Sequence, residues 1–282
     1  MQKSKKNIFI VGPARSGTTI LQQIILTDKD YYSTPESHFF SEIHPINPLL
    51  SKLPNNFFYF RGVNVLNKIF KLDMSKFKSF FLTKKQIYNF FFIAFNNASR
   101  LNGKKNWCEK TPRHLFFIHE LYQMGFDFRV LIIVRNPIDT LLSQSTIINK
   151  FKHKWGGYFN NLNDRIISLR LLKSYNEILK LNGLYKNISI IDYDGLINNP
   201  DKVISNINND YNLECRYKNF NPSNIFNLEN EPWKKNNENN TIQKIKNNYS
   251  EKLIMDFSNI IREYNLNKLY SEILSIPYCV YK

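Results

Sequence analysis

Cysteine is scarce in this chain, with three in 282 residues. Cys108, Cys215 and Cys279 lie far apart, at neither the density of a disulfide scaffold nor the spacing of zinc ligands, so nothing calls for an oxidising compartment. The five histidines, His38, His44, His114, His119 and His153, form no metal set, and no metal is expected. Long apolar runs are missing too. The basic N-terminus MQKSKKNIFIVG loses its apolar character at Gly12-Pro13, too early for a signal peptide. The most apolar later stretch, Tyr88 to Phe95, falls well below a membrane span and reads as an internal helix. A cytoplasmic chain with no transmembrane segment is the expectation. No internal repeat and no linker interrupt it.

Acidic residues are the other shortage: 23 Asp and Glu against 39 Lys and Arg leave a formal charge of +16. That excess asks for an anionic partner or anionic ligands. Nucleic acid is not the expected one. A non-catalytic polyanion binder is an alternative reading, and its cations would form a continuous surface stripe instead of converging on two pockets. Hydrophobic residues make up 43% of the chain, enough for a buried core and against disorder as the main state. At roughly 150 residues per domain the length allows one large domain or two small ones. We read residues 1–282 as a single domain with insertions around 45–82 and 219–240. Asparagine occurs 39 times, thickly between 198 and 248, but it is interleaved with Ile, Leu and Tyr and overlies a folded chain.

Strands and helices alternate along this chain. Asn7 to Val11 is a short apolar run stopped by glycine and proline, as in a parallel strand covered on both faces. A glycine-bearing loop follows, and from Gly17 or Thr18 the residues Ile20, Ile24 and Ile25 fall at helical spacing. A strand ending near Ser33 precedes a surface loop carrying Glu36. A helix is predicted from Lys84 to about Ala98, then a short strand in NWCEKTP. Leu115, Ile118 and Leu121 mark a helix ending at Gly125. Phe128 to Val134 is the clearest strand, and Pro137 stands at a tolerated first-turn position of the next helix. Residues 165 to 181 form another helix and Ile188 to Ile191 another strand. Leu253, Ile254, Phe257, Ile260 and Ile261 share one face of a final helix. This alternation argues for an α/β domain.

The string GPARSGTT, Gly12 to Thr19, lies between the first strand and the first helix. Such a loop turns backbone N–H groups toward one anion while the helix dipole favours negative charge. Gly12, Pro13, Ala14, Arg15, Ser16, Gly17, Thr18 and Thr19 therefore form a candidate phosphate or sulfate cradle, with hydroxyl donors at Thr18 and Thr19 and a charged fork at Arg15. The nucleoside-triphosphate pattern GxxxxGK[ST] shares the glycine separation, but Thr18 stands where lysine belongs. A small-molecule kinase using ATP is the alternative from that pattern.

The same string resembles the 5′-phosphosulfate loop of the sulfotransferase family, whose members take the sulfuryl group from 3′-phosphoadenosine 5′-phosphosulfate (PAPS). Arg15 replaces the lysine common in cytosolic phenol-directed members and is similar to the branches acting on sugars or on peptide tyrosine. A second block, RVLIIVRNPIDTLLSQ from Arg129 to Gln144, resembles the family's 3′-phosphate segment. Arg135 and Ser143 match its two ligands, and Asn136 replaces the usual aspartate. WCEKTPRH resembles an E-K-T-P block near the donor, with Lys110 placed to balance the departing oxygen. EPWKK resembles the W-K loop over the nucleotide, which implies contacts from Trp233, Lys234 and Lys235. YDGLINNP, Tyr193 to Pro200, is similar to a block read as structural support.

The resemblance implies a P-loop-containing nucleoside triphosphate hydrolase-like three-layer sandwich with a central parallel sheet. It implies PAPS as co-substrate and a hydroxyl-bearing acceptor, a carbohydrate or glycan-like compound. Sulfuryl transfer needs an in-line acceptor, donors around the moving group and a base. Glu36 matches the glutamate proposed as base in the tyrosylprotein and carbohydrate branches, and His38 is its rival. Glu109 and His114 could orient neighbours or line the acceptor cleft. Phe57, Phe58, Tyr59, Phe80 and Phe81 could line a sugar-stacking groove or form ordinary core.

Overall fold

β1 (Ile8–Val11) is buried along its whole length. Four apolar residues closed by Gly12 can satisfy their backbone only through neighbours on both sides, and β1 has them. It pairs in parallel with β3 (Asn106–Lys110) on one side and β4 (Arg129–Val134) on the other. β2 (Tyr31–Ser33) lies outside β3, and β5 (Ile188–Asp192) and β6 (Val280–Tyr281) lie beyond β4. The order is β2-β3-β1-β4-β5-β6 and each pairing is parallel. All carboxyl ends therefore share one edge, and the chain switches direction of growth at β1, where a crevice opens in such sheets. This computed structural model describes residues 5–43, 55–70, 83–151, 162–217, 249–276 and 280–281.

Alternation along the strands divides the core in two. Phe9, Val11, Val130, Ile132 and Val134 face one side, and Ile8, Ile10, Leu131 and Ile133 the other. The second face is covered by α1 (Thr18–Ile25), α8 (Tyr193–Asn198) and α9 (Pro200–Tyr211), through Leu21, Ile24, Leu196, Val203 and Ile207. The first face carries α2 (Phe39–Ile43), α3 (Asn55–Phe70), α4 (Lys84–Leu101), α5 (Ile118–Gln123), α6 (Pro137–Phe151), α7 (Asp164–Leu181), α10 (Glu251–Glu263) and α11 (Leu266–Leu274).

The Tyr88–Phe95 run is the internal helix expected of it. Thr83 and Gln86 close a reciprocal capping box at the start of α4. Tyr88, Phe91 and Phe95 are fully buried, and Phe91 packs on Phe9, Phe39, Phe40 and Trp107. Each such ring contributes about 2–3 kcal/mol over an exposed one. Among the described residues no helix is long and apolar enough to cross a membrane.

One difference from the sequence reading has a physical cause. The helix expected up to Gly125 begins as a 3-10 helix, Pro112–Phe117, before α5. Pro112, which has no N–H, opens that tighter turn, and Leu115 of the 3-10 helix and Ile118 and Leu121 of α5 are all fully buried. Within the expected 45–82 insertion, α3 is a regular 16-residue helix. Residues 45–54 and 71–82, the 219–240 insertion, and the side chains of Phe57, Phe58, Tyr59, Phe80 and Phe81 lie outside the described residues.

Candidate active site

The loop after β1 is shaped by two glycines at positions where a Cβ would clash. Gly12 has φ 146°, and a Cβ there would lie 2.4 Å from the Ile133 carbonyl oxygen of β4. Gly17, the N-cap of α1, has φ 107°, and its Cβ would lie 2.4 Å from Cδ2 of Tyr193. Between them Arg15 takes a left-handed φ of 68°. Ser16 fixes that turn, donating from its N–H and its hydroxyl to the Pro13 carbonyl at 3.2 and 2.7 Å. Gly17 brings no side-chain cap and the first turn of α1 no acid. The positive end of that helix is thus left to its backbone and to the hydroxyls of Thr18 and Thr19.

Arg135 follows the last residue of β4 with its side chain 15% exposed. Its guanidinium stacks 4.6 Å above the Tyr193 ring. The Tyr175 hydroxyl holds its carbonyl at 2.7 Å, and its buried Nε has no hydrogen-bond partner. Asn136 caps α6, its Oδ1 accepting from the Ile138 N–H at 3.1 Å. Ser143, two turns into α6, accepts from Arg15 Nε at 3.2 Å, and Gln144 donates to the Ala14 carbonyl at 2.9 Å. Residues 128 positions apart are therefore in contact. Tyr193 makes a second link, one face of its ring against Gly17 and the guanidinium of Arg135 stacked on it.

Glu36 and His38 lie in the loop after β2, and Lys110 ends β3. Lys110 is 1% exposed and ion-paired with Glu36 through Nζ and Oε1. Burying an ammonium requires such a partner. His38 Nε2 is 3.5 Å from the other carboxylate oxygen of Glu36, and its backbone has φ 52°. Beneath this pair Glu109 is fully buried. Its Oε1 accepts from the hydroxyls of Ser37 at 2.8 Å and Thr111 at 2.6 Å, and its Oε2 meets His114 Nδ1 at 2.9 Å. Burial pushes the Glu109 carboxyl up, but His114 and the two hydroxyl donors outweigh it and hold the group below the usual carboxylate range. The Gly12 N–H bonds the Pro112 carbonyl at 3.4 Å and so joins this end to the glycine loop.

One edge of the sheet therefore gathers Gly12 to Thr19, Arg135, Ser143, Glu36, His38 and Lys110. Trp233, Lys234 and Lys235 lie outside the described residues. Sequence reasoning gave too little weight to Tyr193, read as mere support, and to Glu109. An aromatic directly after the carboxyl end of β5, in a sheet whose β1 and β4 ends carry the candidate anion ligands, was the available signal for the first. Among the described residues no group of three or more His, Cys, Asp or Glu is placed to hold a metal.

A sequence profile described as the sulfotransferase family matches residues 7–216, well over half of the chain. No curated protein matches it significantly. Among solved structures, a sulfotransferase from Alicyclobacillus acidocaldarius is 15% identical, with a TM-score of 0.53 over 96% of this chain and 96% of that one. A sulfotransferase from Mycobacterium avium is 12% identical, with a TM-score of 0.50 over 94% of this chain and 77% of that one. These likenesses bear on fold, and they correct the expected fold class. The molecule has the sulfotransferase-type α/β fold with its donor-binding topology, not a nucleoside triphosphate hydrolase-like one. The physical difference shows in the first loop: Thr18 stands where a triphosphate loop has its lysine, and Arg15 reaches across to Ser143 instead. The family match also sets aside the kinase and polyanion-binder alternatives: this chain belongs to the sulfotransferase family, enzymes that use PAPS as sulfuryl donor.

Proposed function

We propose that PAPS lies across this edge, with its 5′-phosphosulfate in the Gly12–Thr19 loop and its 3′-phosphate on Arg135 and Ser143. The observation that carries this reading is the 3.2 Å bond from Arg15 to Ser143, which makes one cleft of two distant blocks. Two local features fit the ligand. The Nε of Arg135 is a buried donor with no hydrogen-bond partner, on a guanidinium whose Nη2 lies 3.9 Å from the Asp139 carboxylate. The glycine loop is seated tightly against β4 and Tyr193, since a Cβ at Gly12 or Gly17 would meet them at 2.4 Å, and this fixes its path around the anion. Trp233, Lys234 and Lys235 belong to the nucleotide end of this reading on the strength of their motif alone.

When bound, the donor supplies an activated sulfuryl group on a phosphate leaving oxygen. The chain supplies the proton acceptor and the charge. Glu36 takes the proton of the acceptor hydroxyl as the new S–O bond forms and the S–O bond to the 5′-phosphate breaks. Its pairing with Lys110 couples the two events. Before transfer the pair is neutral overall; once Glu36 is protonated, Lys110 is left as a net positive charge beside the departing phosphate, with Arg15 on the loop adding a second. His38 is placed to receive the proton from Glu36 at 3.5 Å and pass it outward. The acceptor in this reading is a carbohydrate or glycan-like hydroxyl, supported by Arg15 and the E-K-T-P block. The compartment is the cytoplasm: Cys108 and Cys215 are free, buried thiols, and burial pushes Cys215 up to about 12, far from reactive thiolate.

Calorimetric titration tests the donor assignment directly. 3′,5′-Adenosine bisphosphate should bind without magnesium and more tightly than ATP. Tighter binding of ATP, dependent on magnesium, would overturn it.

A further inference from the structure

Two consecutive residues of the β2 loop and two of β3 meet in register: Glu36 pairs with Lys110, and Ser37 with Glu109. Alternation in β3 sends the two β3 side chains to opposite faces, so Glu109 cannot touch the cleft and instead holds the loop from beneath. Its Oε1 gathers the Ser37 N–H at 3.4 Å, the Ser37 hydroxyl and the Thr111 hydroxyl, and Thr111 Oγ1 in turn accepts from the His38 N–H at 3.3 Å. Its Oε2 is occupied by His114, whose ring is fully buried and packs edge-on against Phe40 at 4.8 Å and Phe9 at 6.3 Å. The Glu109 carboxylate can only accept, so His114 Nδ1 donates to it, and His114 Nε2 has no hydrogen-bond partner. A buried carboxylate accepting four donors, with its own brace locked in an aromatic box, is costlier than core packing requires.

We propose that Glu109, braced by His114, is a positioning residue for sulfuryl transfer: it pins the Ser37–His38 turn to the end of β3 and thereby sets Glu36 against Lys110. This rests on the assignment of Glu36 as base. The left-handed φ of 52° at His38 shows what is being held, since a non-glycine residue keeps that conformation only where its surroundings impose it. Without Glu109, the turn relaxes, Glu36 moves away from Lys110 and loses the charge that keeps it ionised.

The test uses Glu109→Gln, Ser37→Ala, Glu36→Gln and the double variant Glu36→Gln/Glu109→Gln in the full chain. Transfer from PAPS to water and to p-nitrophenyl glycosides is measured across pH, with binding of 3′,5′-adenosine bisphosphate alongside. Glu109→Gln should lower kcat about tenfold or more, the scale of a slight misplacement of a reacting group. Affinity for the bisphosphate should stay within twofold, and the acid limb of the kcat profile should move to higher pH. Ser37→Ala should do the same to a lesser degree, and it decides the matter if Glu109→Gln does not fold. Unchanged kcat and profile in both variants, or a loss of bisphosphate affinity that matches the loss of kcat, overturns the positioning role. The double variant should lose no more than Glu36→Gln alone; additive losses overturn Glu109 and leave the base standing. Full transfer by Glu36→Gln removes the base assignment and this inference with it.

Discussion

Replacing Gly17 with alanine should damage recognition of the 3′-phosphate, although Gly17 belongs to the loop for the other end of the donor. The new Cβ would lie 2.4 Å from Cδ2 and 2.8 Å from Cε2 of Tyr193, on a backbone at φ 107°. The strained backbone costs about 1–3 kcal/mol and the overpacking another 1–3. The ring can relieve the second term by turning aside, but it then leaves the guanidinium of Arg135, now 4.6 Å away. A largely desolvated cation–π contact is worth about 1–2 kcal/mol, on the order of tenfold in affinity. Gly12→Ala offers no such escape, because its Cβ meets a backbone oxygen of β4 whose register with β1 is fixed by the Val11–Ile132 pairing. Thermal unfolding combined with titration of 3′,5′-adenosine bisphosphate and adenosine 5′-monophosphate separates the cases. Gly12→Ala should lose mainly stability. Gly17→Ala should lose about tenfold more affinity for the bisphosphate than for the monophosphate. Equal loss for both nucleotides would disconnect Gly17 from Arg135, and no change in either would show that Tyr193 is not a wedge between them.

Three further outcomes are expected. Arg15→Ala breaks the contact with Ser143 and removes a charge from the moving group, so turnover of PAPS should fall about 10²–10³-fold; near-normal turnover would remove Arg15 from the site. Arg135→Ala should weaken 3′,5′-adenosine bisphosphate about 10- to 100-fold and adenosine 5′-monophosphate little, as read by calorimetry; parallel losses would argue against a 3′-phosphate contact. Glu109 is held below the ordinary carboxylate range in the folded chain, so its stabilisation is present above its unfolded value near 4.3 and is lost as pH falls through the lower folded value. The gap in unfolding free energy between the native chain and Glu109→Gln should be steady from pH 7 to about 5 and narrow below that; a gap that widens on acidification would refute the direction of the shift.

What could be read from sequence follows how local its cause is. β1, β4 and β5 were legible because an apolar run between polar ends has few other uses. The start of α6 was legible because Pro137 fits a first turn. α9 went unread although Val203, Ile204, Ile207 and Tyr211 carry its buried stripe, because asparagine, a poor helix former, fills the intervening positions. The 3-10 start at Pro112 was missed because a spacing of three also satisfies an α-helix over so short a span. The fold class was misjudged for a different reason: it was taken from the architecture that the resemblance implied, and alternating strands and helices point to an α/β domain without saying which α/β topology the chain takes.

The site divides along the same line. Arg15, Glu36, Lys110, Arg135 and Ser143 could be named because each sits at or just beyond a strand's carboxyl end, or a fixed distance along the helix that follows, and motif spacing registers such positions. Their partners could not, because partnership depends on strand order. β3 lies next to β1 although more than 90 residues separate them, and that adjacency alone brings Glu109 under the Glu36 loop. The same order puts β5 beside β4, which carries Tyr193 to Arg135. Charge composition points the wrong way here: with +16 overall, another cation near the donor looks the most valuable residue. In the folded chain Lys110 is already neutralised by Glu36, and the groups that tune it are a carboxylate and a ring. On the proposed mechanism, transfer depends less on how much positive charge the cleft holds than on when one unit of it is released, and that timing follows the position of Glu36 over the anchor beneath it.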